Sequence, residues 1–143
     1  EVAQVVLLHE NALETLPAGV FSGLRNPRSI RLHRNKIAVL PPGLFGGGGV
    51  RSLYLGENLL EELPPGLFDA LDNLVSLDLH GNRLQDLPSE TFRGLKSAIA
   101  IDLSANNISG TIGAGTFAQP DLAFVSLAHN AIRSVEAGAF GES

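Results

Sequence analysis

The stretch LHRNKIAVLPPGLF, residues 32 to 45, shows most clearly how this chain is organised, because near copies of it occur three more times. The copies are LHENALETLPAGVF at 8 to 21, LGENLLEELPPGLF at 55 to 68 and LHGNRLQDLPSETF at 79 to 92. The asparagine of each copy has further equivalents at Asn106 and Asn130, at spacings of 23 or 24 residues. A fixed period of this length indicates a solenoid of stacked repeats.

The same apolar frame surrounds each asparagine, five and three residues before it and two residues after it; in the second unit it is Ile30, Leu32 and Ile37. Because side chains alternate between the faces of a strand, each unit is predicted to begin with a short strand. The asparagine follows where the chain leaves that strand, and its amide can satisfy backbone groups that the turn leaves unpaired. The predicted structural ladder is Asn11, Asn35, Asn58, Asn82, Asn106 and Asn130.

The second half of each unit is predicted to be extended or 3₁₀-like. Leu-Pro follows the frame in four units, at 16–17, 40–41, 63–64 and 87–88, and proline lacks the N–H that a helix interior or a ladder uses. The glycine tract 46–49 removes a packing leucine, and we expect a mobile convex loop there. A phenylalanine closes every unit, and the rings are expected to stack as one spine: Phe21, Phe45, Phe68, Phe92, Phe117 and Phe140.

The pattern LxxLxLxxNxLxxLPxGxF resembles the leucine-rich repeat family, in the 24-residue subclass common in extracellular receptors, over residues 3 to 140. The resemblance implies an α/β-type repeat solenoid, a right-handed horseshoe with a concave parallel β-sheet and a mostly irregular or 3₁₀ convex side. Extracellular members usually carry cysteine-rich caps, so we expect an uncapped fragment of a longer chain. We predict a single domain over 1–143 with six units at about 3–26, 27–49, 50–73, 74–97, 98–121 and 122–143.

Composition narrows the classes of function. Without cysteine, the chain has no disulfide, thiolate nucleophile or cysteine-based zinc site. No apolar run approaches the ~20 residues that a membrane span needs. The net charge is −5, although residues 25 to 51 carry six basic and no acidic residues. Because the chain is acidic as a whole and the basic block lacks a supporting run of aromatic residues, we expect no nucleic-acid partner.

The exposed strand positions form ladders whose members lie ~4.8 Å apart. They carry basic, then aromatic, then acidic side chains, and Arg and Tyr often dominate the binding energy of interfaces. The alternative is that Glu10, Arg34 and Glu57 only pair with one another at the surface. The resemblance implies that the concave face binds a macromolecule, and we expect a protein, or a glycan, to contact Arg28, Arg31, His33, Arg34, Arg51, Tyr54, Glu57, Asp78, His80 and Asp102.

The recurring histidines do not predict a metal site. Zinc needs three or four ligands at about 2.0–2.2 Å from one point, and His80 is separated from the neighbours His9 and His33 by the position of Gly56. Asp78 and Asp102 are adjacent carboxylates, but an open sheet does not exclude water as acid–base catalysis requires. We therefore predict no metal, no cofactor and no catalytic residue, and thus no enzyme.

The triplet Asn107-Ile108-Ser109 is an N-glycosylation sequon. Together with the resemblance, it favours an extracellular or cell-surface recognition module that is part of a receptor or adhesion protein. The alternative is an intracellular scaffold that needs no disulfides. The oligomeric state and the identity of the ligand do not follow from the sequence.

Overall fold

The structure is a computed structural model that describes residues 2–46 and 48–142. Gly47, in the predicted glycine loop, and Glu1 and Ser143, at the ends of the predicted domain, lie outside the described residues. The strands are β1 (Gln4–Leu7), β2 (Pro27–Arg31), β3 (Ser52–Tyr54), β4 (Ser76–Asp78), β5 (Ala100–Asp102), β6 (Ser109–Ile112), β7 (Phe124–Ser126) and β8 (Ala131–Val135).

Six strands form one parallel sheet in the order β1-β2-β3-β4-β5-β7, with one strand in each predicted unit. The register is in step from β2 to β7: Ser29, Ser52, Ser76, Ala100 and Phe124 form one row. A second row begins at Arg31 and continues through Tyr54, Asp78, Asp102 and Ser126. Because each strand pairs with the strand of the next unit, side chains about two dozen residues apart become neighbours.

The apolar frame forms the core between the coils. In the second unit, Ile30 is 2% exposed and Leu32 and Ile37 are fully buried. The equivalent residues of the first and last units are only partly buried. This difference has a simple cause, because each of those coils packs against a neighbour on one side only. The interior units therefore contain most of the buried apolar surface that stabilises the stack.

Asparagine side chains join consecutive coils. Asn58, which is 4% exposed, accepts a hydrogen bond from the Ile37 N–H at 3.1 Å and donates to the Leu32 carbonyl of the preceding unit at 3.0 Å. The equivalent pattern is present at Asn35, Asn82, Asn106 and Asn130. Asn11 is exposed, and its amide donates only within its own unit.

The convex side consists mainly of single turns closed by hydrogen bonds between residues three apart, such as Val20 N–H to Pro17 O and Leu24 N–H to Phe21 O, both at 3.1 Å. Among the described residues, no helix is long and apolar enough to cross a bilayer. Two units differ from the rest, because β6 and β8 pair as a second parallel sheet that the sequence analysis did not predict.

The two units that form this second sheet are also the two that lack Leu-Pro. Where the first four units have proline, the last unit has Glu136, and its N–H donates to the Ile112 carbonyl at 2.9 Å. Proline has no N–H to make this bond. Replacement of the proline therefore permits this hydrogen bond, directly after β8.

The phenylalanine spine has two parts. Phe21 stacks on Phe45 at a centroid distance of 6.2 Å, and Phe68, Phe92, Phe117 and Phe140 stack at 5.7–6.0 Å. Among the described residues, no stacked pair joins Phe45 to Phe68, so the expectation of one continuous spine was wrong. The glycine tract that lacks the packing leucine follows Phe45, and a cavity of about 260 Å³ lies beside this ring.

Candidate functional site

The sheet face gathers most of the predicted ligand-binding residues into a shallow cleft of about 380 Å³. Three of the ten lie outside it: Arg28 and Arg51 are near the starts of β2 and β3, and Asp102 is on β5. Their roles in binding stay predictions. The seven residues that line the cleft are Arg31, His33, Arg34, Tyr54, Glu57, Asp78 and His80.

One wall of the cleft is a cationic and aromatic cluster. The Arg31 guanidinium carbon lies 4.9 Å from the centroid of the Tyr54 ring, within the range of a cation–π interaction. His33 meets the same ring edge-on at 5.9 Å and stacks on His9 at 4.5 Å. Burial, together with the neighbouring His9, lowers the pKa of His33 below 6.5. His33 is therefore expected to be neutral at neutral pH.

A chain of ion pairs forms the rim. Arg34 donates through Nη1 to Glu10 at 3.0 Å and through Nε to Glu57. The hydrogen bond from Arg34 lowers the pKa of Glu57. Glu10, Arg34 and Glu57 all have a left-handed backbone, with φ between 55 and 57°. These residues pair along their ladder, as in the alternative interpretation of the sequence, so the charge of Arg34 is compensated within the protein and the trio keeps a net charge of −1.

The other wall depends on Gly56. A Cβ at Gly56 would lie 2.6 Å from His80 Cε1 and 2.9 Å from Asp78 Oδ2, so the His80 ring occupies the space that a side chain there would need. His80 Nδ1 is 2.6 Å from Asp78 Oδ1, and Nε2 is 3.8 Å from Glu57 Oε1. The sequence analysis treated Gly56 as a gap between histidines. A lone glycine in a ladder of larger residues was the available signal for this close approach.

Opposing effects set the pKa of His80. Burial lowers it, but the hydrogen bond that the His80 ring donates to Asp78 and the charges of Asp78, Asp102 and Glu57 together outweigh burial and raise the pKa above 6.5. His33 and His80 therefore line the same cleft with pKa values shifted in opposite directions. At pH 6.5 His33 is therefore expected to be more than half neutral and His80 more than half protonated.

Three potential metal ligands lie close together, and the sequence analysis did not identify them as a set. Ligand atoms of Asp78, His80 and Asp102 all lie within 4.8 Å of one another. Both carboxylates already accept internal hydrogen bonds: Asp78 from His80, and Asp102 from the Ser104 N–H and hydroxyl at 2.9 and 2.7 Å. The set is open and half-buried, and such a set by itself does not assign a metal.

The cleft is open to solvent. Asp78 and His80 form an acid–base pair, but within the described part of the chain no hydroxyl group is hydrogen-bonded to the His80 ring. The His80 side chain is also 36% exposed, whereas acid–base catalysis usually requires a site that excludes water. What the cleft provides is a rigid arrangement of cationic, aromatic and anionic groups on a sheet.

The sequon lies away from the cleft. Asn107 is exposed, and its backbone N–H donates to the Leu84 carbonyl at 2.9 Å. Ser109, the third residue of the sequon, is also exposed and begins β6. The position is therefore accessible to a modifying enzyme, and glycosylation of Asn107 stays a prediction.

A parallel solenoid with one strand per coil, an asparagine ladder and an open sheet face defines a repeat scaffold. The chain belongs to the leucine-rich repeat family: the family model described as "Leucine rich repeat" matches residues 26–84 and 72–132. The family prediction is thereby confirmed. No match is found among curated protein sequences.

Solved structures support the same fold. The chain is similar to TLR13 in the TLR13–ssRNA13 complex, with 26% identity and a TM-score of 0.81 over 90% of this chain and 18% of the TLR13 chain. It also resembles the leucine-rich repeat domain of APL1B, with 21% identity and a TM-score of 0.72 over 92% of this chain and 44% of that one. The chain thus spans less than half the length of either. The predicted fold class is confirmed.

Proposed function

We propose that this chain is a recognition module that binds a protein ligand through the cleft on its sheet face. The observation that carries the proposal is the Arg31–Tyr54 pair, with the guanidinium carbon 4.9 Å from the ring centroid. Arg31 is exposed, and no carboxylate among the described residues lies within 4.0 Å of its guanidinium nitrogens. An aromatic side chain beside an uncompensated arginine is a combination common at the centres of protein interfaces.

Preorganisation supports this proposal. Tyr54 contacts both Arg31 and His33, Arg34 is held between two glutamates, and His80 is held by Asp78. Immobilising a flexible side chain on binding costs about 0.5–1.5 kcal/mol. Side chains that are already positioned lose less entropy, so more of the contact energy contributes to affinity.

We further propose that the parent protein is a cell-surface receptor or adhesion protein, in the 24-residue subclass of the family. The repeat pattern and the exposed Asn107 sequon support this. The location is tested by expressing the protein in cultured animal cells and treating the secreted protein with an N-glycosidase. A loss of mass in wild type that is absent from Asn107→Gln supports an extracellular location. Secreted protein with no N-glycan overturns the glycosylation prediction. Retention of the full-length parent protein inside the cells favours the intracellular scaffold.

A binding screen tests the recognition function. The wild-type chain is screened against extracellular proteins, glycans and single-stranded RNA, beside an Arg31→Glu, Tyr54→Ala double variant and a Lys96→Glu control. Lys96 is an exposed cation away from the cleft. A protein bound by wild type and the control but lost in the double variant supports the proposal. A partner bound equally by all three contradicts the assignment to this face.

RNA is included because TLR13 was solved with ssRNA13. The charge of this chain favours a protein instead, since its net charge is −5 and Asp78 lines the cleft beside the cations. Phosphate groups lying along the sheet would approach carboxylates that repel them. Selective binding of RNA by wild type would replace the protein ligand with a nucleic acid.

A further inference from the structure

Three arginines give the first strands of the sheet face an uncompensated positive charge. Arg28 and Arg31 lie on β2, and Arg51 directly precedes β3. None of the three has a carboxylate within 4.0 Å among the described residues, whereas Arg34 is bound by two. Arg28 donates instead to the Gly49 carbonyl at 3.3 Å. This end of the face therefore favours an anionic group on a ligand.

A carboxylate with no salt bridge within 4.0 Å among the described residues lies three strands further along the same face, with a ligand atom of His80 within 4.8 Å of it. Asp102 on β5 accepts hydrogen bonds from the Ser104 N–H and hydroxyl. Within the described part of the chain, no Lys, Arg or His nitrogen lies within 4.0 Å of the Asp102 carboxylate. Neutral donors orient this carboxylate without cancelling its charge. Asp78, one strand nearer, is already paired with His80.

The two ends are held at a fixed distance. Arg31, Tyr54, Asp78 and Asp102 occupy one row of the sheet on four consecutive strands. Strands in a sheet are spaced by ~4.8 Å, which places the first and last positions of this row roughly 14 Å apart. The row therefore presents a cation, an aromatic ring, a carboxylate paired with His80 and a second carboxylate that forms no salt bridge within 4.0 Å among the described residues, in that order.

The geometry points to a ligand of matching polarity: a protein segment with an acidic side chain against Arg31 and a basic side chain, about 14 Å away, against Asp102. This inference rests on the proposed function and narrows its partner. Charge complementarity of this kind mainly determines which partner binds and in which orientation. A polyanion can pair with Arg31 but is repelled by Asp102, because it places negative charge beside that carboxylate.

Helical peptides test the spacing directly. An α-helix rises 1.5 Å per residue with 3.6 residues per turn, so groups eleven residues apart lie on one face about 16 Å apart. An alanine-based peptide with a Glu pair and a Lys pair at this spacing therefore matches the row within the reach of these flexible side chains. The control has the same composition with the Glu and Lys residues adjacent. We expect the matched peptide to bind about tenfold more tightly than the control at low ionic strength, measured by anisotropy of a labelled peptide.

Charge reversal in the protein tests the two ends. Arg31→Glu and Asp102→Lys are each expected to lower the affinity for the matched peptide about tenfold. In the double variant the polarity of the row is reversed, and a helix can bind in the opposite direction. The double variant is therefore expected to recover part of the lost affinity, and Lys96→Glu is expected to leave affinity unchanged.

Several results overturn the inference. The first is that wild type binds both peptides equally or binds neither. The second is that the losses of affinity in the two single variants add up in the double variant. The third is that wild type binds a single-stranded oligothymidine more tightly than the matched peptide. These results are distinguishable from failure of the proposed function. If a protein partner from the screen still requires Arg31 and Tyr54, the proposed recognition by this face is retained. Only the requirement for an acidic and a basic group about 14 Å apart on the ligand is then rejected.

Discussion

Asn58 lies 3.1 Å from the backbone nitrogen of Ile37, in the preceding unit, and accepts the hydrogen bond of its N–H. Its amide nitrogen also donates to Leu55 within its own unit and to Leu32 in the preceding one. A single buried side chain thereby satisfies backbone groups of two coils that are remote in sequence. The rigidity of the face that carries Tyr54 depends on such links.

Replacement of Asn58 by alanine is expected to lower the free energy of unfolding by about 1–3 kcal/mol, because buried backbone groups lose their hydrogen-bond partners. Urea denaturation monitored by circular dichroism measures the change. Asn11→Ala is the matched control. Asn11 is exposed and bonds only within its own unit, so its loss should cost no more than about 0.5 kcal/mol. Equal losses in both variants would refute the role of the ladder.

Removal of the Phe92 ring is expected to be among the most destabilising changes. Phe92 is fully buried and stacks on Phe68 at 6.0 Å and on Phe117 at 5.7 Å. Phe92→Ala should cost about 3–5 kcal/mol, because it leaves a cavity between two coils. Phe140, which is 59% exposed and stacks on Phe117, is the comparison. A Phe140→Ala loss as large as that of Phe92→Ala in thermal unfolding would contradict the packing argument.

Gly94 lies against the backbone of the preceding coil. A Cβ at this position would lie 2.6 Å from the Asp69 carbonyl oxygen. Gly94→Ala is expected to cost about 1–3 kcal/mol, because the two backbones must move apart. At Gly23 an added Cβ meets nothing within 4 Å, and Gly23→Ala should change stability by no more than about 0.5 kcal/mol. Indistinguishable denaturation midpoints would show that the coils do not approach so closely.

The two histidines of the cleft are expected to titrate on opposite sides of pH 6.5. The pKa of His33 is lowered, first by burial and then by His9, whereas that of His80 is raised because Asp78 and the neighbouring carboxylates outweigh burial. NMR titration of the imidazole C2 protons measures both values. Asp78→Asn should lower the pKa of His80 and leave that of His33 nearly unchanged; an unaltered His80 value would exclude the proposed ion pair.

Linkage gives the sign of the effect on stability. The folded pKa of His80 is above 6.5, so its pairing stabilises the fold fully below pH 6.5 and the contribution is lost as pH rises through the folded pKa. The stability difference between wild type and Asp78→Asn should therefore shrink as pH rises through that value. For His33 the sign is reversed, because its folded pKa is lowered. Its contribution to the free energy of unfolding is therefore lost as the pH falls through that folded pKa. A stability difference that grows with pH would contradict the assignment for His80.

Much of the architecture was predictable because repeated local chemistry specifies it. The 23- and 24-residue period and the alternation at positions such as Ile30 and Leu32 define a strand in each unit. The row containing Arg31, Tyr54 and Asp78 follows once those strands align. The β6–β8 sheet was not predicted, because its pairing joins the return segments of two separate units rather than following from a pattern within one.

Residue order alone established the solenoid, its apolar core positions and the residues that share its exposed face, because all three follow from periodicity. Only the stacked structure decided which exposed side chains engage one another. Arg34 is bound to Glu10 and Glu57 whereas Arg31 lies on Tyr54, and the His80 ring turns over Gly56 to reach Asp78. These choices depend on side-chain orientation and on space between neighbouring coils, and neither is a property of a single repeat.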